Sequence, residues 1–573
     1  MSKSPLSRPK VRESAGRNSF DRSFIVNNHA SHGMIIPIMM EPCVAGTKGV
    51  INRWNFCRTS DIVAPAFNEV SQHFDFFKVP IRLLWSQWNT WKTNIDDVNS
   101  SALSQSYPAG AVIGQPEIPR MNFGYDTVNS KSFFDYLKTI TITNLGMTTT
   151  DAATFCNDML RLCEGLGYGT DWLRTTANVK NLLPAAAYQK VYYDFYRNTN
   201  YEANNPFAYN LDYLTSYQNT YNGLLTPVSN AHDSNIFKQL FSLRYVNYRN
   251  DYFRNVYPDV SYSANIGYFD APNIPSLGSN STYLNPQFNS SINTSELYRN
   301  SSNQVSHITV PSVRAAFALD KLMRAAAYAP KHVRDQFKAR FGVDVGDKVS
   351  NESERIGSFV DQIVFGEVTN QADTKNSTVG SYLGALGGKG VGSTRGNDDD
   401  LHFYCEEDCI IIGVTYFLTR AIYDCVEDEW NNKLVREEFF VPEFQNLGLR
   451  VVTDPFGLIQ GYTTPNLRYK VGRDMNFGCF KVSFASVTTS SSSIAITSNG
   501  TNSLRTFTVH SAPPSTAGGL NYLYFKALPS HLNYIYRTNY SNTGHPGTDQ
   551  FYFNTRIKFA TVQPMSVHGQ PLF

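Results

Sequence analysis

"HFYCEEDC", residues 402–409, gathers the side chains best suited to hold a metal: His402, Cys405 and Cys409, with three carboxylates between them. Zinc needs four ligands converging on one point. On a strand His402 faces away from Cys405 and Cys409, and no fourth ligand stands nearby, so the stretch reads as packed thiols beside a strand. His29 and His32 lack the glutamate and helical context of a zinc-protease motif and read as ordinary surface or interface histidines. The acidic runs "NDDD" (397–400), "EED" (406–408) and "EDE" (427–429) read as solvated loops, because carboxylates adjacent on a strand alternate faces and do not pair as acid and base.

Two further motifs fail on spacing. "GALGGKGVGSTRG" (384–396) resembles a phosphate loop, but Gly390 follows Lys389 where a metal-binding Ser or Thr belongs, and Leu383 replaces the leading Gly. It reads as a flexible or close-packed loop. No G-x-S-x-G nucleophile elbow occurs. The chain carries no coherent catalytic constellation, and neither an enzyme activity, a cofactor nor a metal is expected.

The elements that would position any site are strands at both ends of the chain: 33–44, 73–79, 409–419, 493–498, 523–528 and 550–567, separated by Gly, Pro, Asn and Ser clusters. This is the pattern of an antiparallel sandwich or barrel. Three helices are expected as lids over sheet faces. One starts at Pro184 with Tyr188, Val191, Tyr192 and Phe195 on one stripe; one follows Ser312, with Arg314, Lys321 and Arg324 on its polar side; the third packs Val333, Phe337 and Phe341 and ends at Gly342.

The densest aromatic stretch is "FDFFKVPIRLLWSQW" (74–88). Pro80 ends a strand that carries Phe76 and Phe77, and Trp85, Trp88 and Trp91 then recur at helical spacing. These five are the candidate residues for core or subunit-interface packing. In contrast, 276–303 is about half Ser, Thr and Asn, a composition that builds no core. It reads as an exposed loop, as do 486–493 and 498–503.

At 573 residues, only 17% are charged and 14% are aromatic, against about 25% charged in an ordinary domain. Burial between subunits follows from so little surface charge. A net charge of +2 excludes a polyelectrolyte binder overall, leaving any basic function local. The first 22 residues are locally basic and read as a flexible arm in which Lys3, Arg8, Lys10, Arg12 and Arg17 are candidate DNA contacts. "MSKSPLSRPKVRES" lacks the apolar run of a secretory signal, so folding in a cytoplasm and eight free thiols are expected.

Eleven segments resemble, in order, landmarks of the major capsid protein of microviruses, small icosahedral phages with circular single-stranded DNA. They are "FDRSF", "FFKVPIRLLWSQW", "LLPAAAYQKVYYDFYRNTN", "NYRNDYFRNVYP", "SVRAAFALDKLMRAAAY", "FGVDVGDKV", "GGKGVGS", "CIIIGVTYF", "PEFQNLGLR", "YTTPNLRYK" and "VQPMSVHGQP". The chain looks closest to the branch with large surface insertions and no separate spike protein.

The resemblance implies an all-β fold, an eight-stranded antiparallel jelly roll with long insertions containing a few helices. About sixty copies would form a T=1 shell around the genome. The implied organisation is an arm at 1–24 and a capsid domain at 25–573, with insertions at about 95–180, 259–310 and 486–549. The second insertion would form a protrusion, with Tyr283, Phe288 and Tyr298 on the host-contact loop. Implied partners are further copies of the chain, circular single-stranded DNA, a small basic DNA-packaging peptide, a minor or pilot protein and a bacterial host receptor, without membrane insertion. The implied location is the virion, assembled in the host cytoplasm. The rival reading is a carbohydrate-binding or carbohydrate-cleaving β-sandwich.

Overall fold

The strand period is clearest near the C-terminus, where buried and exposed side chains alternate along almost all of Phe551–Gln563. Such alternation places one face on a core and the other outward. In the computed structural model the described residues are 16–60, 69–93, 118–121, 148–168, 179–213, 231–250, 332–346, 351–369, 386–394, 400–420, 522–532 and 549–565, with shorter pieces between.

Ten strands form one antiparallel sheet: β1 (Asn18–Asp21), β2 (Phe24–Ala30), β3 (Ile36–Cys43), β4 (Lys48–Thr59), β5 (Val70–Pro80), β6 (Glu354–Thr369), β7 (Leu386–Thr394), β8 (Leu401–Tyr404), β9 (Cys409–Thr419) and β10 (Phe551–Gln563). Their order is β1-β10-β4-β7-β6-β5-β9-β3, with β2 also on β10 and β8 on β4. The sheet curls so that its halves face each other: Phe417 of β9 stacks on Phe551 of β10 with ring centroids 4.2 Å apart. The expected all-β jelly-roll sandwich is the observed fold. Within the segment read as an arm, Asn18–Asp21 is already paired with β10.

Between the halves lies a polar centre. Arg53 of β4 is ion-paired to Asp361 of β6, and both are buried. Its guanidinium lies 4.4 Å from the Phe359 ring centroid and 5.2 Å from that of Phe74. Asn55 donates to Gln72 at 2.8 Å and to Asp361 at 3.0 Å, and accepts from Thr555 at 2.8 Å. Because buried polar groups need partners, this network ties β4, β5, β6 and β10 into one register.

β9 is buried along its whole length, which requires cover on both faces. The outer cover is a helical layer. α1 (Trp88–Thr93) follows β5; α2 (Thr149–Gly165) packs on β3; α3 (Leu183–Val191) runs into a π-helical turn, Tyr192–Tyr196. α4 (Ala231–Leu240) packs on α3, and α5 (Val333–Phe341) precedes β6. Among the described residues no helix is long and apolar enough to cross a membrane.

Several expectations change. The Gly-rich run is not a loop: 386–394 is strand β7, paired with β6 and β4. Its close packing is real, since a Cβ on Gly390 would meet Thr59 Cγ2 at 2.7 Å and Phe365 Cε1 at 2.8 Å. The segment 523–528, read as strand, begins instead in a 3₁₀ turn, Tyr522–Phe525, that feeds Lys526 into a buried cluster.

α3 has no single apolar stripe. It is buried nearly all round, while Phe195 is 40% exposed. α5 ends at Gly342, with φ +70°, as its sequence predicts. Its Val333, Phe337 and Phe341 are all exposed, Phe341 at 69%, and among the described residues they are not buried against a sheet. Position alone did not decide which helix covers the sheet. At the second helix, Arg314 and Lys321 occupy exposed helical positions; 493–498, 498–503, 486–493 and 276–303 lie outside the described residues.

Candidate assembly and packing surfaces

The aromatic corner is built by the end of β5. Pro80 closes the ladder, Ile81–Leu83 makes one 3₁₀ turn, and Trp85 drops into the core at 1% exposure. Phe76 and Phe77 are also buried, on opposite sides of the strand: Phe76 meets Phe359 edge-on at 6.0 Å, and Phe77 meets Phe195 at 4.7 Å. Trp88 is half-buried, and Trp91 is 38% exposed. The three tryptophans form a graded cluster of tilted rings from interior to surface, with centroids 6.3 Å apart for Trp85–Trp91 and 5.3 Å for Trp88–Trp91.

Asp408 fixes this cluster. Its carboxylate accepts from Trp88 Nε1 at 3.0 Å and from the Ala45 amide at 3.0 Å, and it is ion-paired to Lys92. Burial pushes its pKa up, but the bonds from Lys92, Trp88 and Ala45 outweigh that and hold it below the usual value. Beside it Arg82 donates to both oxygens of Glu407, at 2.9 and 2.8 Å. The acidic turn 406–408 is thus the clasp of the corner.

The helical layer is held by buried polar side chains. Tyr196 Oη donates to Asp75 at 2.6 Å, Tyr188 Oη donates to the Ile35 carbonyl at 2.9 Å, and Gln189 Nε2 donates to the Leu240 and Ser242 carbonyls at 2.9 and 2.8 Å. Lys526 Nζ donates to Tyr192 Oη at 2.6 Å and lies 3.4 Å from Glu202. Burial lowers its pKa to about 8, against the opposing pull of Glu202.

His73 stacks on Tyr416 with centroids 4.9 Å apart, and burial lowers its pKa to about 4 against the pull of Asp75. His32 proves fully buried, with Nδ1 3.1 Å from the Leu528 carbonyl and Nε2 3.1 Å from Thr419 Oγ1. It is a core residue, not the surface or interface histidine expected. Neighbouring His29 stays half-exposed against Asp549.

The thiol reading is accurate where residues are described. Cys43, Cys57, Cys156, Cys163, Cys405 and Cys409 are free and buried. Cys405 and Cys409 sulfurs are 2.8 Å apart. The Cys405 hydrogen bond, then burial, raises the Cys43 pKa. Protonated thiols are poor metal ligands, and among the described residues no group of three or more His, Cys, Asp or Glu side chains is arranged to hold a metal.

One surface escaped the sequence reading. Outward from β4 and β10 project Trp54, Phe56, Arg58, Tyr552 and Arg556, all exposed. Arg556 lies 4.6 Å from the Trp54 ring and Arg58 lies 5.1 Å from that of Phe56. The signal was present in "INRWNFCRT", but its alternation is inverted: Arg53 and Asn55 point in while the aromatics point out.

Residues 9–149 match the family model described as "Capsid protein (F protein)". The chain resembles a microvirus capsid protein. Over 120 residues it is 27% identical to "Capsid protein VP1" of Chlamydia phage 1, a stretch covering 21% of this chain and 19% of that relative. The chain therefore matches about a fifth of that relative's length. The capsid-family match spans β1–β5 and the tryptophan corner, while the acidic clasp at 406–408 lies outside it. Of the candidate DNA contacts, Arg17 is exposed, while Lys3, Arg8, Lys10 and Arg12 lie outside the described residues. Tyr283, Phe288 and Tyr298 also lie outside them.

Proposed function

We propose that this chain is a shell-forming structural subunit, about sixty copies of which build a T=1 icosahedral capsid around circular single-stranded DNA. The observation that carries this reading is the capsid-family match over 9–149 on a jelly-roll sheet. Sparse charge and exposed large apolar side chains, among them Phe341 and Val364, suit a subunit covered by its neighbours. No bond-making step belongs to this role. The basic arm neutralises phosphates inside the shell, with a small basic packaging peptide and a pilot protein as further virion components. The 259–310 insertion meets a host receptor. Assembly takes place in the bacterial cytoplasm.

Electron microscopy and size-exclusion chromatography of the expressed full chain test this. From a chain of 64.4 kDa, closed shells of the order of 4 MDa are expected; a small soluble oligomer that binds or cleaves oligosaccharide would establish the rival sugar reading instead. Deleting residues 2–17 should lower packaged DNA while shells still form, and unchanged DNA content would refute the arm's role. Protease should cut intact particles within 276–303; full resistance would place that loop between subunits.

A further inference from the structure

The outward face of β4, β8 and β10 combines aromatic rings and cations in three couples. Arg556 sits over Trp54 at 4.6 Å, Arg58 over Phe56 at 5.1 Å and Lys48 over Tyr404 at 5.9 Å. All six side chains are exposed. Strand register sets their lattice: Arg556 pairs with Trp54, Tyr552 with Arg58 and Lys48 with Tyr404. The outward positions of β4 and β10 carry four cations, the fourth being Lys558, and no carboxylate. Two acids border these positions: Asp400 is bound to Lys558 at 3.2 Å, and Asp21, paired in register with Ala560 of β10, acts electrostatically on Arg556. With four cations against these two carboxylates the face stays net positive, an excess equal to that of the entire chain.

We propose that this face is a single-stranded nucleic-acid site, in which bases stack on the rings and guanidinium planes and phosphates meet the cations. The proposal rests on the shell reading and deepens it by naming the surface that holds the genome. Outward residues two apart along a strand are about 7 Å from one another, near twice the ~3.4 Å spacing of stacked bases in a duplex. Rings at that pitch suit an unstacked strand. Aromatic and arginine side chains stack on any base, so contact of this kind needs no sequence preference. A second copy presenting the same face would bring cations against cations, which disfavours a symmetric self-contact.

The test uses the unassembled full chain and a fluorescein-labelled 20-nucleotide oligo-dT, followed by anisotropy across a salt series, with the matching duplex as comparison. Arg58→Gln with Arg556→Gln should lower the slope of log affinity against log salt by about 1.4 for two lost phosphate contacts. Trp54→Leu and Phe56→Leu should each weaken binding about tenfold. Arg340→Gln, an exposed arginine on α5, should change neither. Circular dichroism identifies any variant that misfolds, and the exposed arginine pair reports independently of the rings.

Wild-type slope and affinity in all face variants would overturn the site. If the variant shells then also keep their DNA, enclosure stands without this face. Loss of shells by Trp54→Leu with oligonucleotide binding intact would instead make the face a protein contact. Empty wild-type shells and no oligonucleotide binding would remove both the site and the genome-enclosing reading.

Discussion

Asp408 shows how one carboxylate holds a corner that hydrophobic burial alone would leave loose. Two of the three tryptophans reach the surface, so α1 depends on the bonds that Asp408 accepts from Trp88 and Ala45 and on its Lys92 ion pair. Asp408→Ala should cost about 2–3 kcal/mol in urea unfolding and expose the amides of 85–93 to hydrogen exchange. His73 provides a pH test. Its folded pKa near 4 lies below the unfolded value of 6.5, so the unfolded chain binds more protons between them. Stability is therefore lost as pH falls through that window, by roughly 3 kcal/mol at the limit. His73→Gln should flatten the dependence, read as the urea midpoint at pH 7 and pH 4.5.

At the scale of elements, β7 is the least expected member of the sheet. A run of glycines is a poor strand by propensity, yet here the lack of Cβ atoms lets β7 lie between β6 and β4 without striking Thr59 and Phe365. Gly390→Ala should cost about 1–3 kcal/mol in thermal unfolding. Gly392→Ala, whose nearest new contact would be the Gln362 carbonyl at 3.3 Å, should cost less. Equal losses at both positions would mean that chain flexibility, and not the close approach, is what the glycines supply.

For the whole molecule, the curled sheet is closed by a polar centre as well as by aromatic stacking. Arg53 and Asp361 come from strands about 300 residues apart in sequence, and their pairing aligns the two halves. Asp361→Ala should cost about 3–5 kcal/mol, because it leaves a buried guanidinium without its counter-ion. Replacing both residues, Arg53→Met with Asp361→Leu, should recover most of that loss in urea unfolding. Failure of the double variant to recover would show that the bonds from Asn55, and not the charge pair, set the register.

The sequence by itself determined the strands with strong apolar signals, β3, β5, β9 and β10, and the stop of α5 at Gly342. Local periodicity and turn chemistry carry that information. Only the tertiary structure decided that 386–394 is a strand, that His32 is core, that α3 is covered on all sides while α5 is open, and that Trp54 and Phe56 face outward. The physical reason is common to all four. Each depends on what lies opposite a residue across the sheet or layer, and those neighbours come from distant parts of the chain, where no local pattern records them.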